Sequence, residues 1–212
     1  LGAGEAALGS AEGALQVAEQ ADDALVAACR SGDAHAFERL VAIHEGMVFN
    51  LAARLLGDLE EARDLSQEVF LQVYRQLARF EGRSALRTWI YRIVVNQCRN
   101  RQRSWRRRAR ERSLPLEALA ASSWEPRIAE TSGPYEQARL RERAERLQEA
   151  LGRLSFEHRA VLLLREVESL SCEEVAVALG LPEGTVKSRL ARAREALRRE
   201  LLPFLDREEA QP

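Results

Sequence analysis

Apolar residues return every three or four positions along most of this chain, and no stretch alternates with period two. That periodicity predicts helices throughout. Phe37, Leu40, Val41, His44, Val48, Leu51 and Leu55 trace one helical stripe, which Gly57-Asp58 interrupts. Ala62, Leu65, Val69, Val73 and Leu77 trace the next. After the short connection Phe80-Glu81-Gly82-Arg83-Ser84, a third stripe runs through Leu86, Ile90, Ile93 and Val94 into an arginine block. From residue 113 to 134 the apolar period is lost amid serines, prolines and Gly133, the composition of a linker. Leu140, Ala144, Leu147, Leu151 and Leu154 then open a second unit, followed by a buried helix around Ala160 to Val167.

These stripes predict an all-α chain of two helical domains joined by a flexible linker. The expected divisions are an acidic, disordered tail over 1–21, a first domain over 22–112, the linker over 113–134, a second domain over 135–206 and a short tail over 207–212. The 212 residues suffice for two domains, each closing a modest core.

The stretch Leu170 to Leu201 carries a helix-turn-helix pattern. Ser171 and Glu174 form a capping box that starts one helix, and Gly180 supplies its left-handed stop. Pro182-Glu183-Gly184-Thr185 opens the second helix, with Thr185 the expected N-cap. Val186, Leu190, Ala193, Leu197 and Leu201 form its buried face. Lys187, Ser188, Arg189, Arg192, Arg194, Arg198 and Arg199 lie on its other sides. A helix of this kind enters a DNA major groove with its N-terminal half, where Lys and Arg read guanine edges.

Charge sharpens this reading. Lys+Arg is 32 and Asp+Glu 33, a net charge of −1, so a uniformly basic nucleic-acid binder is excluded, but segregated charge is not. Residues 1–28 hold five acids and no arginine, whereas eight arginines lie between Arg99 and Arg112. Asp58, Glu60, Glu61, Asp64 and Glu68 give the second helix an acidic face suited to a basic partner. Phe80, Trp89, Tyr91 and Trp105 interleave with the arginine block. Rings stack on bases and guanidinium groups track phosphates, which is what single-stranded nucleic acid needs. Asn96 and Asn100, four apart, place amides on one helical face beside them.

Three segments resemble the sigma-70 family of bacterial transcription factors. Asp64 to Arg75 (DLSQEVFLQVYR) is similar to sigma region 2.2, and Phe80 to Asn96 (FEGRSALRTWIYRIVVN) to regions 2.3 and 2.4. Gly184 to Leu197 (GTVKSRLARAREAL) is similar to region 4.2. Region 2, a short linker and region 4, without regions 1.1 or 3, resemble the extracytoplasmic-function (group IV) branch.

The resemblance implies a subunit that binds core RNA polymerase and directs it to promoter DNA. It puts polymerase binding on Asp64, Gln67 and Glu68, with Phe70 and Tyr74 in the core. It puts recognition and melting of the −10 element, including capture of a flipped base, on Phe80, Gly82, Ser84, Thr88, Trp89, Asn96, Asn100 and Arg101. It puts −35 reading, within a helix-turn-helix over 171–199, on Lys187, Ser188, Arg189, Arg192 and Arg194. It also implies control by an anti-sigma factor. Lys187 stands where some members carry Arg, and Ala191 where some carry an aromatic.

The rest of the sequence narrows the alternatives. A stand-alone helix-turn-helix regulator would explain the second domain but leaves Trp89, Asn96, Asn100 and the acidic helix without a task. No catalytic constellation, cofactor motif or small-molecule substrate site is legible, so no enzyme is expected. His35, His44 and His158 lack metal-ligand spacing with each other or with Cys29, Cys98 and Cys172, so no metal is expected. Three scattered cysteines, no span-length apolar run and no basic-then-apolar N-terminus point to a cytoplasmic protein without membrane insertion. Cys98 is expected as a small semi-buried residue.

Overall fold

The computed structural model describes residues 21–111 and 134–209. Among these residues every regular element is helical and no strand occurs. The N-terminal bundle comprises α1 (21–30), α2 (Ala34–Leu56), α3 (Leu59–Gln76) with a 3₁₀ turn (Leu77–Arg79), and α4 (Leu86–Glu111). The C-terminal bundle comprises α5 (Pro134–Arg153), α6 (Phe156–Leu162) continued by a π-turn (Leu163–Val167), α7 (Cys172–Leu179) and α8 (Glu183–Glu209). The expected linker, apart from Pro134, and the acidic tail up to residue 20 lie outside the described residues.

Polar residues at the ends set the helix boundaries. The Asp33 carboxylate accepts from the amides of His35 and Ala36 at 2.9 and 3.2 Å and starts α2. Gly57 ends α2 at φ 74°, and the next residue, Asp58, accepts from Glu60 and Glu61 to start α3. A stop and a start on consecutive residues leave no slack, so α2 and α3 fold back on each other. The Ser171–Glu174 capping box is present, and Gly180 closes α7 at φ 65°.

Four expectations need correction. Thr185 is not the N-cap of α8: the Pro182 carbonyl accepts from the amides of Thr185 and Val186, so the helix begins at Glu183. Proline, with φ preset and no N–H to satisfy, suits that start. The tail expected from 207 begins later, because Leu205 to Glu209 contains no breaker and continues α8. Tyr74 is 66% exposed and stands edge-on to Phe37 at 5.0 Å, whereas Val69, Phe70 and Val73 take the inner face of α3. Leu147, on the expected α5 stripe, is likewise exposed.

One cluster of buried apolar side chains runs through both bundles. The bundles meet where α4 lies against α7 and where α6 abuts the end of α2. At the second contact Arg159 is 95% buried by its own relative exposure of 5%. It donates to the carbonyls of Gly152 and Leu154 at 2.8 and 3.3 Å, and across the boundary to Leu55 at 2.8 Å. Burial, with Arg106 nearby, pushes its pKa down to about 10, so it stays charged at neutral pH. These carbonyls belong to helix ends, which leave acceptors unsatisfied. His44 is the other buried basic group; burial holds its pKa below the usual imidazole range, with Asp22 3.9 Å away.

Two outcomes are expected. Arg159→Met strands three carbonyls and should lower the urea-unfolding free energy by about 2–3 kcal/mol. Cys98 is fully buried on the inner face of α4, and burial pushes its thiol well above the usual range. A thiol reagent with mass mapping should therefore label Cys29 and Cys172 in the native protein, and Cys98 only after unfolding.

Candidate nucleic-acid interface

The first surface is built on α4 and the loop before it. Arg30 of α1 donates to the carbonyls of Leu77 and Phe80 and straps the loop to the bundle. Gly82 turns the loop at φ 69°, a conformation open to glycine at little cost. Phe80 is buried and packs on half-buried Trp89 with centroids 5.1 Å apart, so one ring is wall and the other partly surface. Ser84 is half-buried beside the exposed Gly82. Along α4, Arg92, Asn96, Asn100 and Arg103 form an exposed stripe one helical face wide. Asn96 Oδ1 accepts from Arg99 at 3.2 Å.

Two residues of the expected set have other contacts. Arg101 bridges Glu61 and Glu68 of α3, the latter at 2.7 Å, and so ties α4 to the acidic helix. Thr88 has no exposed surface; its hydroxyl lies 3.5 Å from Glu174 of α7. Tyr91, one turn further on the same face, is buried with its hydroxyl donating to Glu168 at 2.5 Å. Burial first, and Glu168 second, raise the phenol's pKa.

On α3, Asp64, Gln67 and Glu68 are exposed and continue into exposed Leu71 and Tyr74. This face is acidic at one end and apolar at the other.

The second surface is the N-terminal half of α8. Val186, Leu190 and Ala193 bury one side, which leaves Lys187, Ser188 and Arg192 outward. Lys187 pairs with Glu183 at 2.7 Å, one helical turn earlier. Arg192 reaches back to the Ser188 carbonyl at 3.3 Å and hydroxyl at 3.4 Å. Arg189 and Arg194 point differently. Arg189 is only partly exposed and bonds Glu157 of α6 at 3.0 Å. Arg194 bonds Glu166 at 2.9 Å. Four of the five expected residues are exposed and Arg189 is half-buried; Lys187, Arg189 and Arg194 each pair with an acid of their own domain, Lys187 within α8 itself.

Sequence reasoning missed Glu157, Glu168 and Arg159. Nothing in their local pattern marks them, because each makes at least one contact with a residue of the other bundle far away in sequence. It found Glu174 only as a cap.

Two family models match the chain: sigma-70 region 2 over residues 40–111, and sigma-70 region 4 over residues 144–197. The RNA polymerase sigma-H factor of Pseudomonas aeruginosa is 35% identical over 188 residues, covering 88% of this chain and 97% of that protein. The ECF RNA polymerase sigma-E factor of Escherichia coli K12 is 35% identical over 190 residues, with the same coverages of 88% and 97%. Among solved structures, CnrH in complex with the cytosolic domain of CnrY is similar, with a TM-score of 0.57, 28% identity, and coverage of 88% of this chain and 97% of that one. The fold also matches the sigma factor RpoE in complex with the anti-sigma factor NepR from Bartonella quintana, with a TM-score of 0.61, 24% identity, and coverage of 78% and 96%.

Proposed function

The chain belongs to the sigma-70 family of RNA polymerase sigma factors, in its extracytoplasmic-function branch, and on that premise we propose how its residues divide the work. A sigma factor binds core polymerase and directs it to promoter −35 and −10 elements. The observation that carries the division is the pairing of two unlike surfaces in one chain: a ring-and-amide stripe on α4, and an outward face with Lys187 and Arg192 on a helix-turn-helix.

The α3 face of Asp64, Gln67 and Glu68 docks on the polymerase, with Leu71 and Tyr74 extending the contact. Their exposure supports this role, since an exposed apolar edge beside charge suits a partner surface. Gly82, Ser84, Trp89, Asn96 and Asn100 receive the melted −10 strand. Trp89 offers a stacking face braced by Phe80, and the two amides offer partners to base edges. Thr88 joins them once α7 no longer covers it. Arg101 acts by position, holding α4 against α3 so that the stripe and the docking face keep one geometry.

Lys187, Ser188 and Arg192 read the −35 duplex. Arg189 and Arg194 contact its phosphates after exchanging Glu157 and Glu166 for them. Lysine lacks the bidentate fork of arginine, so its guanine contact is the less selective one. The chain carries no chemistry of its own in this scheme; the polymerase makes the phosphodiester bonds. An anti-sigma factor holds it in reserve in the cytoplasm; the sigma factor RpoE is in complex with the anti-sigma factor NepR in the Bartonella quintana structure. Among the described residues no helix is long and apolar enough to cross a membrane.

Run-off transcription with purified core polymerase on promoter-containing genomic fragments tests the scheme: new transcripts sharing an upstream sequence pair should require this protein. Lys187→Ala and Arg192→Ala should each lower −35-dependent transcription about tenfold with polymerase affinity unchanged. Asp64→Ala and Glu68→Lys should do the reverse, weakening polymerase binding in a pull-down. Equal loss of polymerase binding in both sets would refute the division.

A further inference from the structure

Helix α1 lies ahead of the residues matched to region 2, yet it stands beside both ends of the loop that precedes α4. Its first turn brings Asp22 and Asp23 to an open cleft of about 230 Å³ shared with Gly82 to Leu86. Its last residue, Arg30, reaches the other end of the loop. There Nε donates to the Leu77 carbonyl at 3.3 Å and Nη2 to the Phe80 carbonyl. These nitrogens share one edge of the planar guanidinium, so a single rigid group grips two carbonyls three residues apart. Both carbonyls sit where a helical turn runs out, and such acceptors need partners from elsewhere.

Arg30 is itself firmly mounted. Leu25 and Val26 bury one side of α1 in the apolar core. Past Arg30, the amides of Ser31 and Asp33 donate to the Ala27 and Ala28 carbonyls at 3.1 and 3.2 Å, and Asp33 then caps α2. What Arg30 holds is the backbone of one residue. The Phe80 amide donates to Leu77 at 3.2 Å and the Phe80 carbonyl accepts from Arg30, so both sides of Phe80 are fixed. The Phe80 ring is 6% exposed and lies against Trp89, tilted by 45°. A shift of the loop at Phe80 therefore moves the wall behind Trp89.

We propose that Arg30 is a positioning residue for capture of the melted −10 strand: through Phe80 it fixes the stacking face of Trp89, while touching no base itself. The inference rests on the reading that Trp89 stacks on that strand. A ring held ready before the base arrives loses less freedom on binding, so its stacking counts more fully toward affinity. Helix α1 thereby becomes part of the −10 machinery, although its own residues face no strand.

The test uses holoenzyme assembled from purified core polymerase and the full chain, on a promoter fragment that this protein transcribes in the run-off experiment. Permanganate reactivity of thymines in the opened segment reports melting, and a heparin challenge reports the lifetime of the open complex. The variants are Arg30→Ala, Trp89→Leu, which keeps apolar bulk against Phe80, and the two combined. Arg30→Gln keeps one donor and is read in place of alanine where alanine costs the fold. Arg39→Ala is the charge-matched control, an exposed arginine of α2 lying 3.8 Å from Asp33. Circular dichroism establishes that each is folded.

Arg30→Ala and Trp89→Leu should each shorten the lifetime about tenfold. Arg30→Gln should shorten it about threefold, and Arg39→Ala should leave it unchanged, with polymerase affinity equal throughout. The double variant should fall no further than Trp89→Leu, because both changes act on one contact. Effects that multiply in the double variant would overturn the inference, as would an Arg30→Ala complex as long-lived as the control. So would a shallower salt dependence than wild type, the mark of a lost phosphate contact, or a parallel loss of polymerase affinity, the mark of a scaffold residue. If Trp89→Leu changes nothing, the −10 reading itself fails and the inference falls with it.

Discussion

The pairing of one long arginine-bearing helix with acids on both its flanks is the interaction on which this structure depends. Helix α4 spans Leu86–Glu111 and serves three neighbours at once. Its apolar side, with Ile90, Val94 and Cys98, closes the N-terminal core. Arg101 draws it onto Glu61 and Glu68 of α3. Arg99, Tyr91 and Thr88 draw the C-terminal domain onto it through Glu157, Glu168 and Glu174. A helix this rich in guanidinium groups would repel itself if left bare, so acids from two directions compensate it. Between them the stripe of Arg92, Asn96, Asn100 and Arg103 stays exposed, and it is the surface proposed above for nucleic acid.

The near-neutral total charge follows from the same arrangement. Thirty-two basic and 33 acidic residues leave the total near zero, and acids pair with arginines and with Lys187 across the described residues. Lys187 and Arg192 make only local contacts within α8, while Arg189 and Arg194 are held by Glu157 and Glu166. Salt therefore acts on the protein twice. It screens arginine–phosphate contacts on DNA, and it screens the carboxylates that compete for the same arginines.

Local signals made most of the fold legible in the sequence. The stripe from Ala62 to Leu77 is the buried face of α3, and Gly57-Asp58 and Ser171–Glu174 lie at real helix boundaries. A spacing of four put Asn96 and Asn100 on one helical face, and both are exposed there. The resemblance put Tyr74 in the core, whereas periodicity left it off the buried stripe, and it is exposed. Thr88 and Arg101 were legible as residues of the right helix, but not as groups already engaged. Their partners, Glu174 and the Glu61–Glu68 pair, sit 86, 40 and 33 residues away. No pattern of a single segment encodes such a meeting; it depends on how helices distant in sequence pack.

Arg159 shows how unevenly such a joint is shared between the two domains. Of its three acceptors, Gly152 and Leu154 travel with its own domain, and only Leu55 belongs to the other. When the domains part, the guanidinium keeps the α5–α6 corner intact and releases one carbonyl to water. The joint is built like a hinge pin that stays with one leaf: the interdomain contact draws on a side chain whose other bonds are spent within the C-terminal bundle.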